Sequence, residues 1–592
     1  MLDSSSRFSK APSININRSV FPINWRHKTT FNAGKLVPLE VSEILPGDTI
    51  SLDVSSLVRM ATPINATMDD AYLDIFAFFV PNRLTWEHWV NLQGENTEGK
   101  WYSDVEYTVP TMANSVSHIR GGFFDHAGIP PRIGTTGPTL GGISALPLRG
   151  YQLIWNEWFR DENLQDPILV QKGDIQPIFN ADDYPFDGYT EDSLLPVNKL
   201  HDYFTSALPS PQKGEAARVV LEGSGLVYPT DEVNDFRLRD NNLAPMGFYF
   251  VDSTGQLLSD DGAGISGNFT FPMYARTDYD GPTSYVKGTI RTTNDAIDPQ
   301  PISTLRYPIF NNLVADLTDG SFTINDLRLA SAVQRVLERD ARSGTRYFEV
   351  LNAHFSVSNP DARLQRPEFL GARRIDVNVN QIIQTSNGIS DVDALGTVGG
   401  YSKTADRGSL FTKSFTEHGY LYILGCVRNM NSYQQGYHKH WRRSSRFDFY
   451  MPEFANIGET PVYNYEIYAG TSIDDEIFGY QEAWAEYRYH PSTVSGGFRA
   501  VNGQNLGLDS WHYADYYEST PTLSADWIQS SPTNIDRTLA ITSQFGGDAT
   551  GNSGSTPEST LGGVQFIGDF YFKTNWTRPM PVYSIPGLEA RF

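Results

Sequence analysis

Between Arg428 and Arg446 the chain carries five cations (Arg428, Lys439, Arg442, Arg443 and Arg446), no carboxylate, and three interleaved rings, Tyr433, Tyr437 and Trp441. Cations mixed with aromatic rings suit a single-stranded nucleic acid. Guanidinium and ammonium groups attract its phosphates, and its unpaired bases stack on ring faces. The same residues also fit a solvated loop whose arginines pair with carboxylates elsewhere in the chain. The setting favours the first reading, because the 592-residue protein is otherwise acidic: 46 Lys and Arg stand against 69 Asp and Glu, a net charge of -23.

Other constellations carry less. His438 and His440 are two apart and would share a strand face, a spacing a metal can use, but no HExxH motif or cysteine pair accompanies them. Glu482 and Glu486 are four apart in QEAWAEYRYHP; they fit paired carboxylates or the like charges of an exposed helix turn. No Gly-x-Ser-x-Gly elbow exists, since Gly142-Ile143-Ser144-Ala145 runs on into Leu146. Gly94 to Lys100 (GENTEGK) has the glycine–lysine spacing of a phosphate loop. However, Trp101 stands where a metal-binding hydroxyl is needed, and Glu95 and Glu98 would repel phosphate. Asp260 and Asp261 lack the alternating ligand positions of a calcium loop and predict a turn. No catalytic residue, metal site or cofactor is predicted, and the chain does not read as an enzyme.

The elements that must position the cationic segment are mostly strands. Tyr420–Val427 is a short apolar and aromatic run that enters the segment, and Phe447, Phe449 and Met451 alternate with polar neighbours as if a strand left it. Thr49–Ser55 alternates, with Ile50, Leu52 and Val54 on one face. Tyr72–Val80 is apolar on nearly both faces and predicts a central strand covered on two sides. Tyr463–Tyr468, Leu539–Ile541 and Val564–Phe572 are further predicted strands. Two helices are predicted, Tyr151–Asp161 and Leu327–Arg342, the second with Asp326 as cap and Gly344 as stop. Glycine and proline between Gly121 and Gly150 predict irregular loop.

The sequence divides into four stretches. Residues 1–35 form a basic, extended arm: Arg7, Lys10, Arg18, Arg26, Lys28 and Lys35 face Asp3 alone, a net of +5. Residues 36–221 and 323–592 are two parts of one β domain, the second ending in a proline-rich extended tail. Residues 222–322, with fourteen acids and six basic residues, a net of -8, read as an outward insertion of hairpins and loops. The single cysteine, Cys426, lies in an apolar run, which excludes an intrachain disulfide and fits a reducing compartment. No apolar run reaches about 18 residues, and MLDSSSRFSK lacks a signal-peptide core, so neither membrane insertion nor export by the common route is predicted. Charged residues make up 19%, against roughly 25% in an average soluble protein, which fits a subunit of a larger assembly.

Several long phrases carry a resemblance. WNEWFRDENLQD (155–166), DARLQRPEFLG (361–371), SFTEHGYLYILGCVRNMNSYQQGYHKHWRR (414–443), FGYQEAWAEYRYHP (478–491) and the terminal RPMPVYSIPGL closely resemble the major capsid proteins of gokushoviruses, single-stranded-DNA phages of the Microviridae. The resemblance spans most of the chain apart from the insertion. It implies a mainly β fold, the viral jelly roll of eight antiparallel strands in two sheets, with long inserted loops and a few helices. It also implies self-assembly in the bacterial cytoplasm into a T=1 icosahedral virion around a circular single-stranded genome. The implied partners are other copies of the chain, the DNA, a small basic DNA-binding phage protein, a pilot protein, and a host receptor met by 222–322. Arg428, Tyr437, Lys439, Trp441, Arg442, Arg443 and Arg446, with Arg7, Lys10 and Arg18 of the arm, are the predicted DNA contacts. The competing reading is a monomeric glycan-binding or glycan-cleaving β-sandwich, suggested by loop aromatics and an acidic surface.

Overall fold

The computed structural model describes residues 17–95, 105–114, 118–131, 138–176, 185, 190, 192–215, 324–343, 354, 365–383, 385, 398–500, 508–540 and 564–583, with the backbone of six short strands between 226 and 316. Two compact units result, residues 1–215 with 336–592, and residues 216–335. In the second, Leu226–Pro229 pairs with Leu313–Asp316, Leu238–Arg239 with Ile309–Phe310, and Ala275–Arg276 with Tyr285–Val286, all antiparallel.

Eight strands build the sandwich of the first unit, which also carries two separate two-stranded hairpins: β1 (Ser19–Phe31), β2 (Val37–Ile44), β3 (Thr49–Met60), β4 (Ala71–Pro81), β5 (Glu368–Asp376), β6 (Thr404–Ser414), β7 (Gly419–Asn429) and β8 (Phe566–Arg578). They form two antiparallel sheets of four, in the orders β1-β8-β3-β6 and β5-β4-β7-β2. The first strand thus pairs with the last, the second with the seventh, the third with the sixth, and the fourth with the fifth. One long antiparallel ribbon rolled on itself produces this pairing, and it is the jelly roll the resemblance implied. β1 begins inside the stretch read as a basic arm, so residues 19–31 of that arm are an edge strand of the sandwich.

The predicted periodicities explain the layers. β3 buries Ile50, Leu52, Val54, Val58 and Met60 between the sheets, and β8 adds Phe566, Phe570, Phe572 and Trp576. β4 and β7 are buried on both faces. Leu73, Ile75, Ala77 and Phe79, with Leu421, Ile423 and Val427, face the inter-sheet core. Phe78, Val80, Tyr422, Leu424 and the free Cys426 face outward onto a cover of helices. That cover is α1 (Leu146–Ile154), which continues as a π-helical turn, Trp155–Phe159, and a short turn of helix at Phe123–His126. Gly150 lets α1 sit down on β7: a Cβ there would lie 2.0 Å from the Tyr422 hydroxyl, which donates to the Pro147 carbonyl at 2.8 Å.

Several predicted elements differ. The helix expected over 151–161 starts earlier, at Leu146, because Pro147 is tolerated in a first turn. The loop expected over 121–150 therefore contains two helical pieces. α2 (Ile324–Ser343) contains the predicted 327–342, with Asp326 in its first turn rather than before it. No strand forms over Phe447–Met451. The Asp448 carboxylate accepts the N–H groups of Ser444 (2.9 Å) and Ser445 (2.7 Å) and closes a turn, and Pro452 opens the next. The strand expected over 463–468 is instead Glu459–Tyr463 followed by a helical turn, Asn464–Ile467, capped by Glu466 accepting the Tyr463 N–H at 3.0 Å. Leu539 makes only an isolated bridge to Pro63; Gly344 and Ile541 lie outside the described residues.

One polar group breaks the apolar face of β4. Asp74, almost fully buried, receives Arg374 from β5 (Nε to Oδ1 2.7 Å, Nη2 to Oδ2 2.9 Å) and Arg428 from β7 (Nη2 to Oδ2 2.6 Å). Burial alone would raise the Asp74 pKa, but the Arg374 hydrogen bonds and the Arg428 charge hold it below the ordinary carboxylate range. Its stabilising contribution is therefore present above the ordinary carboxylate pKa and is lost as pH falls through the depressed value. Asp74→Ala leaves the largely buried Arg428 guanidinium without its carboxylate and should cost about 3 kcal/mol. Urea unfolding of the soluble chain at neutral pH checks this, and Arg374→Ala, which leaves Arg428 in place, should cost less.

Candidate nucleic-acid interface

The cationic segment hangs from the end of β7 and is held there by side-chain amides and hydroxyls. Asn431 Nδ2 donates to the Leu200 carbonyl at 2.5 Å, and the Tyr433 hydroxyl donates to Asp202 at 2.6 Å. Gln434 donates to the Asp515 carbonyl (2.9 Å). Gln435 donates to the Tyr517 carbonyl and accepts the Tyr517 N–H, both at 2.7 Å. Asp515 is fixed in turn by buried Lys199 at 2.7 Å. At Gly436 the backbone passes so close to residue 466 that a Cβ would stand 2.0 Å from the Glu466 carbonyl oxygen.

Beyond this anchor the rings and cations interlock. Tyr437 stacks on Tyr465 (centroids 5.2 Å apart), and Tyr465 on Tyr463 (5.6 Å, 11° between planes). Arg442 lies 4.1 Å over Tyr465, donates to the Tyr437 hydroxyl at 2.6 Å, and pairs with Asp474 (3.2 Å) and Asp475. Hydrogen bonds from the Thr471 and Gly470 N–H groups hold the Asp474 carboxyl below its ordinary pKa. Lys439 donates to the Pro461 carbonyl at 2.9 Å and lies 5.3 Å over Tyr463. Arg443 bonds Glu486 at 2.8 Å and the Tyr487 hydroxyl at 2.6 Å, and lies over the Tyr487 ring at 4.4 Å. Arg446 is exposed and enters no ion pair among the described residues, and Trp441 is 74% exposed.

Of the predicted contacts, Tyr437, Lys439, Trp441, Arg442, Arg443 and Arg446 share this surface. Arg428 does not, because Asp74 holds it in the sheet. Arg18 lies against the Gly47 turn beside Pro579, at the foot of β1. Arg7 and Lys10 lie outside the described residues. Glu482 and Glu486 do not act as a pair: Glu486 is buried against Arg443, and Glu482 faces Arg488 at 3.2 Å. His438 Nδ1 accepts the His440 N–H at 3.2 Å, and burial holds the His438 imidazole below its ordinary pKa. Among the described residues no group of three or more potential ligands is arranged to hold a metal.

Sequence reading missed Tyr463, Tyr465, Asp474, Asp475 and Tyr487, which come from a separate hairpin (Glu459–Tyr463 with Ile477–Glu482) and the turn after it. Their only signal was the ring–gap–ring spacing of YNYEIY and an adjacent pair of acids.

An eight-stranded roll of this kind is shared by virus-shell subunits and by lectin and cupin domains, so the fold sets the architecture and leaves the role open. Comparison with known proteins gives the family. Residues 9–588 match the phage capsid protein (F protein) family, and the chain belongs to it. Relatives include capsid protein VP1 of Chlamydia phage 1 and of Bdellovibrio phage phiMH2K, each 36% identical over 99% of this chain and 98% of the relative. Capsid protein VP1 of Spiroplasma virus 4 is 36% identical over 95% and 94%. The chain is a capsid protein rather than an enzyme.

Beneath the stacked tyrosines lies Glu466, whose Oε2 accepts the Tyr203 hydroxyl at 3.1 Å. Burial pushes its carboxyl up to about 7. A raised folded pKa means that the stabilising proton is fully bound below the ordinary glutamate value and lost as pH rises through about 7. Stability measured by thermal unfolding should therefore fall as pH rises from about 4.5 to about 7, and Glu466→Gln, which stays neutral, should flatten that slope.

Proposed function

We propose that the chain is the major coat subunit of a T=1 icosahedral virion that encloses a circular single-stranded DNA genome. The observation that carries this reading is the end-to-end similarity to capsid proteins VP1, joined to a roll of eight strands whose long loops leave ample surface for copies to abut. Closure of one chain into a shell needs several patches whose rotations close on themselves. With a net charge of -23 per copy, such a shell also needs its charges sorted, cations toward the genome and acids toward solvent.

On this reading the surface around Tyr437, Lys439, Trp441, Arg442, Arg443 and Arg446, with Arg7, Lys10 and Arg18 of the N-terminal stretch, faces the DNA without regard to its sequence. The acidic 222–322 insertion faces outward and meets the host cell. A small basic phage protein and a pilot protein accompany the genome, and assembly takes place in the host cytoplasm. Among the described residues no helix is long and apolar enough to cross a membrane.

Size-exclusion chromatography and electron microscopy of the purified chain should give closed megadalton shells rather than a single 66 kDa species. A map of a filled particle should then place Trp441 and Arg446 on the inner lining and residue 270 on the outside. The reverse placement refutes the assignment. Arg446→Ala is the cleaner probe of phosphate contact than Arg443→Ala, which would leave the buried Glu486 carboxylate alone.

A further inference from the structure

We propose that this surface holds single-stranded DNA by its bases rather than by its phosphates; the inference rests on the genome-facing reading above. Four cations lie between residues 437 and 446, and three are already engaged. Arg442 is neutralised by Asp474 and Asp475, and Arg443 by a Glu486 side chain that is 5% exposed, while the Lys439 amine donates to a backbone carbonyl and keeps its charge. Asp448 adds a negative charge two residues beyond Arg446. Of these four cations only Lys439 and Arg446 are left to displace a counterion from a phosphate.

The rings stand in the opposite condition. Trp441, Phe447, Phe449, Tyr450, Tyr487 and Tyr489 are between 46% and 74% exposed. Four of them are nonetheless held in orientation by neighbouring groups, and Trp441 lies against His440 at 4.8 Å. Tyr450 packs edge-on to Trp484 at 5.6 Å, Phe447 to Phe454 at 6.0 Å, and the Arg443 guanidinium spans Tyr487 and Phe449. The paired arginines therefore serve the rings, holding them as a preorganised platform, more than they serve the solvent. Every base has a face that can stack on such a ring, so the contact is indifferent to sequence, and a duplex, whose base faces are hidden, is excluded.

The test is the salt dependence of binding. For a single strand the slope of log affinity against log salt is about -0.7 per phosphate neutralised, so two uncompensated cations predict roughly a sevenfold loss between about 50 and 200 mM salt, whereas four would give roughly 50-fold. Binding of end-labelled single-stranded oligonucleotides of mixed sequence to the purified full-length chain, read by fluorescence anisotropy of the label, should show the smaller loss. Trp441→Ala should weaken binding roughly tenfold or more; Trp441→Phe should restore most of it, and duplex of the same length should bind far less. Because Trp441 is 74% exposed, its replacement leaves the core intact. A loss near 50-fold with salt and an unaffected Trp441→Ala overturn the base-held contact while leaving the genome-facing reading in place. If the wild-type chain binds no oligonucleotide and Trp441→Ala instead abolishes assembly, the platform is a contact with a second copy of the chain, and both fall.

Discussion

The pairing of β4 with β7 is the constraint from which the rest of the molecule follows. It joins residues 71–81 to residues 419–429 along the whole length of both strands, and each strand is buried on both faces. One set of side chains fills the space between the two sheets, and the other set receives the helical cover. A strand that is polar on one side has its register set by which side must meet water. A strand apolar on both sides lacks that instruction, since a slip by one residue only exchanges one apolar face for another. Asp74 supplies it. Its carboxylate must meet guanidinium groups from both neighbouring strands, and in the observed register Arg374 stands opposite it on β5 while Arg428 lies within reach on β7. A slip would drive an unpaired charge into the core, at a cost of several kcal/mol. We regard this ion triad as a register device more than as a source of net stability.

The functional surface inherits its position from that pairing. Its segment leaves β7 two residues after Arg428 and is tied at once to Asp202, Asp515 and Tyr517 by Asn431, Tyr433, Gln434 and Gln435. These bonds satisfy backbone groups that a loop of this length would otherwise expose or bury unpaired. The hairpin at 459–482 then supplies the tyrosine stack and the carboxylates that receive Arg442, and Glu486 just beyond it receives Arg443. The surface is thus assembled from two stretches on one scaffold, and its charge is balanced by the stretch that carries no cations of its own.

That balance changes how the cations act. Within their own stretch they are unopposed, and a polymer of phosphates would be their natural partner. In the folded chain Arg442 and Arg443 are half of two ion-paired, ring-stacked clusters, and their stacking on Tyr465 and Tyr487 orders the rings.

Local pattern alone determined the strands that have one. The alternation in β3, the two-sided apolar runs of β4 and β7, and the alternating Phe566, Phe570 and Phe572 of β8 could be read directly, because burial imposes its period on the residues themselves. The long phrases around residues 155, 361, 414 and 478 gave the family by resemblance instead, which periodicity does not carry. What only tertiary structure decided was where turn chemistry and partners override pattern. Asp448 bends Phe447–Met451 out of a strand, Glu466 caps a helical turn where YNYEIY alternates as a strand would, and Asp74, Asp474, Asp475 and Glu486 claim arginines that look free in the sequence. A charge has no periodicity to betray its partner. The carboxylate that neutralises it lies dozens or hundreds of residues away, and only the fold brings the two within hydrogen-bonding distance.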